Sequence, residues 1–141
     1  MVKFSSLLYF KEFAFIHRGG MVLVKISVLI TAEPYTFQNF LTAYQFAKKA
    51  VENGHNIVGI FLYMDSVVAA NTRQNTGEVK SASQLLEELA GLGVPIFVCP
   101  VCASFRGISD EQFLPKGVKY AGVVTLGDLI ADSDKFIAFT F

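Results

Sequence analysis

The chain has no tryptophan, four prolines, two cysteines and few charges: Asp, Glu, Lys and Arg make up 17% of its 141 residues. Twelve basic side chains balance twelve acidic ones. Proteins that grip nucleic acid concentrate basic residues, because neutralising phosphates supplies most of the affinity. The paired basics here are Lys48–Lys49, with Glu52 close by on the same helical stretch, so nucleic acid is not an expected partner. No apolar run reaches the roughly 18 residues of a membrane-spanning helix, and no membrane is expected either. A phosphate cradle is missing too. Gly91-Leu92-Gly93 lacks a third glycine and closes a helical pattern instead of opening one. Structural zinc takes four ligands as a rule. Two cysteines with His17 and His55 far off in sequence make a weak set, so no metal and no cofactor are called for.

What the chain does have is apolar surface. Apolar residues make up 52%, fourteen of them phenylalanine, against roughly 45–50% in an ordinary soluble domain. Part of that surface is expected to be buried against another subunit. The length fits one domain.

The first twenty residues stand apart. In MVKFSSLLYFKEFAFIHRGG, Lys11 and Glu12 interrupt the apolar stretch, and no small-residue cleavage site follows. It is a poor secretory signal. Residues 1–20 are read as an N-terminal extension, with Met21 as the expected physiological start and residues 21–141 as the domain. With no secretory signal the expected compartment is the cytoplasm, where a cysteine pair points to redox or sulfur chemistry or to metal binding.

Along the domain, Val24–Ile30 is β-branched and nearly all apolar, as a strand buried on both faces should be. From Phe37 apolar residues recur at 37, 40, 41, 44, 47 and 51, which predicts a helix stopped by Asn53-Gly54. Asn56–Tyr63 reads as a second strand. Met64–Lys80 is a long polar connection with a helical turn around Val67–Asn71, and loops of that length are often functional. Ser81-x-x-Gln84 is a capping box opening a helix that Gly91 and Gly93 end. Pro95–Cys99 is a third strand. Helices are expected from Cys102, at Ser109–Leu114, and from a second capping box at Thr125-x-x-Asp128 through Ala131. Lys135–Thr140 is the closing strand. The alternation predicts a single α/β domain: a mostly parallel sheet of about five strands with helices on both faces, flavodoxin-like or Rossmann-like.

In such a sheet, ligands bind beyond the carboxyl ends of the strands. Thr31–Thr36, Met64–Lys80 and Cys99–Gly107 reach that edge, and the third carries both cysteines in a C-x-x-C. A cysteine between a strand and a helix meets free backbone N–H groups, which favour thiolate, and Arg106 adds to this if it turns back. A thiolate there can attack sulfane sulfur and hold it as a persulfide. Three other readings stay open: buried cysteines without reactivity, a thioredoxin-like dithiol, and zinc shared between subunits. Tyr63, Asp65 and Asn71 lie in the long loop on the same edge as site-lining candidates. His55 sits at the opposite edge and reads as a turn residue.

Four stretches together resemble the DsrE/TusD-like sulfur relay proteins. They are ISVLITAEPY with the helix AYQFAKKAVENGH, then FLYMDSVVAAN, then VCPVCASFRG, and finally LGDLIADSDKFIAF. The likeness covers about residues 22–141. It implies that Cys99 carries a persulfide passed between a sulfur donor and an acceptor protein, or taken from a small sulfane donor. It also implies assembly as a trimer or hexamer, with itself or with related subunits. Cys102 is a departure from the family pattern and is read as a second catalytic thiol. The alternative is a non-catalytic assembly subunit with structural cysteines.

Overall fold

In the computed structural model, which describes residues 22–141, the apolar run after Val24 forms β1 (Lys25–Ile30). The expectations for residues 1–20 and for Met21 lie outside the described residues. Ile26, Val28 and Ile30 of β1 are buried. Helix α1 (Asn39–Glu52) starts two residues later than the periodicity suggests, and it buries Phe40, Ala43, Tyr44, Ala47 and Ala50 along one stripe. The chain turns at Gly54, whose positive φ suits glycine, into β2 (Asn56–Leu62), with Ile57, Ile60, Phe61 and Leu62 buried. Each such fully buried large side chain contributes about 1.5–3 kcal/mol relative to an exposed one.

The long connection begins with a 3-10 turn, Met64–Ala69, three residues earlier than the helical turn expected there. The Ser81 capping box then opens α2 (Ala82–Gly91). The Gln84 N–H donates to Ser81 Oγ at 3.3 Å, and the Ser81 N–H donates to Gln84 Oε1 at 2.8 Å. Next come β3 (Ile96–Val98), α3 (Pro100–Phe105), a second 3-10 turn at Glu111–Phe113, β4 (Val118–Tyr120), α4 (Val123–Ala131) and β5 (Lys135–Phe139).

The five strands lie in the order β4-β3-β2-β1-β5 and every pairing is parallel. From β1 to β4 each connection steps the same way, and the last returns past β1 to β5. Right-handed crossovers therefore put α1 and α2 on one face and α4 on the other. Contacts agree: α1 packs on α2, and α4 packs on β2. The fold expected from the alternation is the fold observed.

Two local readings need correction. Thr125-x-x-Asp128 is not a capping box, because α4 begins at Val123 after Gly122 and Thr125 already lies in its first turn. Strand β4 is also absent from the strands located in the sequence. It has three residues, of which Val118 alone is buried, too short for a periodic signal. Its entry is set by Gly117, at φ +88°, where an added Cβ would lie 2.8 Å from the Cβ of Ala90.

Candidate active site

Strand β3 ends at the carboxyl edge of the sheet, and Cys99 follows it in extended conformation, its N–H bonded to the Leu62 carbonyl of β2 at 3.1 Å. Pro100 opens α3, where a missing N–H costs nothing and a fixed φ suits the first helical turn. Cys99 thus becomes the N-cap residue of α3. Its Sγ accepts the backbone N–H of Cys102 at 3.4 Å. The C-x-x-C spacing makes this contact, since a cap side chain reaches the N–H three residues on. Cys99 is 5% exposed and Cys102 is half-buried; both are free thiols.

Cys102 has a second backbone partner. The N–H of Met64, from the 3-10 turn after β2, donates to Cys102 Sγ at 3.3 Å. Met64 is the one non-glycine with positive φ among the described residues, at +56°. That conformation costs an L-residue about 1–2 kcal/mol, so the surrounding contacts must hold it. Ser66, fully buried, is one of them: its Oγ accepts the Tyr63 N–H at 2.9 Å and donates to the Ile30 carbonyl of β1. Arg106 is another. Its Nη1 donates to the Cys102 carbonyl at 2.9 Å, its Nε to Asp65 Oδ1 at 3.0 Å, and its Nη2 closes an ion pair with the same oxygen.

These surroundings pull on the Cys102 thiol in both directions. Burial raises its pKa most, and the hydrogen bond with the Cys99 side chain adds to that; the Met64 N–H and the Arg106 charge act the other way. The net direction is upward.

The sequence-predicted site residues divide. Cys99 and Arg106 each meet Cys102. Arg106 does turn back, toward Cys102 and its carbonyl, with Asp65 as its counter-ion. Tyr63 immediately precedes the 3-10 turn as its N-cap and packs edge-on against Phe61, ring centroids 6.1 Å apart. Asn71 does not join the thiols: its Oδ1 accepts the N–H of Arg73 at 3.0 Å in a local turn. His55 has the turn role expected of it, its Nδ1 accepting the Val24 N–H at 3.3 Å. Sequence reasoning missed Met64 and Ser66. The signal for Met64 is conformational, a positive φ on a residue type that does not advertise it.

The three edge loops are joined. The phenol of Tyr35 accepts the Ala82 N–H at 2.9 Å and donates to Gln74, tying the first loop to the second, while Met64 and Asp65 tie the second to the third. The reversal of strand order falls between β1 and β5, so the cysteines share the ligand-binding edge but not the switch point. A polar hollow of about 310 Å³ beside the start of α2, lined by Gln74, Ser83 and Glu87 among others, contains neither cysteine. Among the described residues no three His, Cys, Asp or Glu side chains gather as metal ligands would, and no helix is long and apolar enough to cross a membrane.

Residues 24–139 match the sequence profile of the DsrE/DsrF-like family. An uncharacterized protein of Methanopyrus kandleri is 35% identical, over 81% of this chain and 93% of its own. A Yersinia pestis protein named sulfurtransferase TusD is 33% identical, over 84% of this chain and all of its own. Among solved structures, the YchN protein of E. coli superposes with a TM-score of 0.75 at 30% identity, covering 82% of this chain and 98% of that one. With the profile spanning nearly the whole described domain and these relatives covered almost end to end, the chain belongs to the DsrE/DsrF-like family.

Proposed function

We propose that the protein is a sulfur carrier or sulfurtransferase subunit that holds sulfane sulfur on Cys99 and passes it to a partner protein, with Cys102 as a second thiol at the mouth of the site. The observation that carries this reading is the thiol pair itself. Two free cysteines sit at the ligand-binding edge, the sulfur of the inner one bonded to the N–H of the outer. Membership of the family, and relatives named sulfurtransferase, support sulfur as the cargo.

The chemistry balances without a cofactor. The Cys99 thiolate attacks the outer sulfur of a donor persulfide, an S–S bond forms on Cys99, and the donor leaves as thiolate. An acceptor thiolate then attacks that outer sulfur and Cys99 leaves in turn. From Cys102, attack on the outer sulfur moves the cargo to Cys102, and attack on the inner sulfur gives a Cys99–Cys102 disulfide and releases hydrosulfide. Burial of Cys99 suits storage, because a persulfide shielded from solvent is shielded from stray oxidants and thiols.

The donor and acceptor are proteins of the same relay or, for the donor, a small sulfane compound. The expected compartment is the cytoplasm. Assembly with further copies or related subunits is supported by α4, which buries Leu129 alone while Val123, Val124 and Ile130 are exposed, and by Phe136 of edge strand β5, exposed as well. Burial of Cys99 equally favours a second reading, an assembly subunit whose cysteines are structural. Intact mass after exposure of the reduced protein to a sulfane donor separates the two.

A further inference from the structure

Arg106 places its guanidinium donors on two partners that lie far apart in sequence: the carbonyl of Cys102 and the carboxylate of Asp65. Asp65 directly follows Met64, the residue whose N–H reaches Cys102 Sγ. One side chain thus ties the backbone of Cys102 to the turn that contacts its sulfur. The tie matters because Met64 holds a φ of +56°. An unrestrained methionine leaves that region for negative φ, and the rotation carries its peptide N–H away from the thiol.

We infer that the Asp65–Arg106 pair is a positioning device for the Cys102 thiol: it clamps the Met64 turn so that a backbone N–H and a guanidinium both bear on that sulfur. Its direct contribution to folding stability is modest. Asp65 and Arg106 side chains are 48% and 30% exposed, and ion pairs so exposed contribute little to folding. Both of the groups it positions act to ease ionisation of Cys102, against burial and the neighbouring Cys99. The inference rests on the sulfur-transfer reading for its purpose, since a thiol at the mouth of a sulfur site has to ionise to react.

Among the described residues, the charged and titratable groups facing Cys102 are Cys99 from the end of β3, Arg106 from the end of α3, and Asp65 from the 3-10 turn through Arg106. Asp65 makes the test sharp. As a bare negative charge it would hinder thiolate formation, and its removal would speed alkylation. As half of a clamp it helps, and its removal slows alkylation.

The experiment is the pH dependence of Cys102 alkylation by iodoacetamide in a Cys99→Ser background, with Asp65→Ala, Arg106→Gln, Arg106→Lys and the Asp65→Ala/Arg106→Gln double variant. Thermal melts confirm that each is folded. If Cys99→Ser does not fold, the same titration is run on the two-cysteine protein, with fragmentation mass spectrometry assigning the label to Cys102. The clamp predicts that Asp65→Ala and Arg106→Gln each move the midpoint upward, slowing the reaction at neutral pH about three- to tenfold. The double variant should go no further than the larger single change, and Arg106→Lys should recover part of the loss. Unmoved midpoints, or a downward shift in Asp65→Ala, overturn the inference. The readout needs no sulfur transfer, so its failure is distinct from failure of the protein to take up sulfur.

Discussion

The backbone N–H of Cys102 points at the sulfur of Cys99, 3.4 Å away, so the residue that carries the outer thiol also secures the inner one. The two cysteines are therefore not equivalent. Cys99 is 5% exposed, whereas Cys102 is half-buried and faces the Met64 turn.

In the native protein a bulky maleimide should label Cys102 well before Cys99, and denaturant should erase the difference. Because burial and the Cys99 side chain hold the Cys102 pKa above the ordinary thiol value, its labelling should keep accelerating at pH values where an exposed thiol has levelled off. Equal native rates for the two thiols, read by peptide mass spectrometry, would contradict the assigned geometry.

Met64→Gly should leave the fold at least as stable as wild type, because glycine adopts φ +56° without steric cost and Met64 is 44% exposed. Met64→Val should destabilise by about 1–3 kcal/mol, since a β-branched residue is strained at positive φ. Urea denaturation checks both. Equal stabilities would mean that the turn does not hold this conformation in solution.

Glu88 joins α1 to α2. Its carboxylate accepts from Tyr44 and pairs with Lys80, with Lys48 Nζ at 3.9 Å. The Lys80 and Tyr44 hydrogen bonds lower its pKa. A lowered carboxylate pKa contributes stability that is present above the unfolded glutamate value and lost as pH falls through the folded one. Glu88→Gln should therefore melt below wild type at pH 7, and the gap should close as the pH drops below the usual glutamate range. A gap independent of pH between 7 and 3 would assign the effect to packing.

Gly117→Ala combines a forbidden φ with a contact. At +88° the new methyl would sit 2.8 Å from the Ala90 Cβ, an atom that cannot rotate away. Destabilisation of about 1–3 kcal/mol is expected in urea unfolding, and a neutral result would show that the β4 entry relaxes freely.

Which parts of this were legible before the structure follows from what each kind of residue signals. β1, β2 and α1 bury continuous apolar runs or a stripe, and those appear directly as pattern: Val28 and Ile60 lie within the apolar runs, and Phe40, Tyr44 and Ala47 stand where the helical period puts them. The Ser81–Gln84 box was readable because both halves of its hydrogen bonding lie within four residues. Thr125–Asp128 carries the same spelling without the geometry, since the chain enters α4 through Gly122 and leaves no cap for Thr125 to fill. Strand β4 is held by neighbours more than its own composition, with Gly117 against Ala90 and three parallel partners in β3.

For the site, topology sufficed to bring Cys99, Cys102 and Arg106 to one edge, because strand ends and chain order are properties of pattern. The Met64 N–H was not legible, being a backbone group aimed by a turn. Nor was the dispersal of the long loop, where Asn71 serves its own turn with Arg73 while Asp65 reaches the helix.

Uptake of sulfur by Cys99 is read from intact mass. The reduced protein is incubated with a sulfane donor beside Cys99→Ser and Cys102→Ser. Sulfur uptake on Cys99 gives a gain of about 32 Da that reductant reverses, present in wild type and Cys102→Ser and lost in Cys99→Ser. A larger thiosulfonate adduct on the same residue, from thiosulfate as donor, counts likewise. No adduct with any donor, while both thiols remain open to alkylation, would contradict that uptake and leave the assembly-subunit reading in its place.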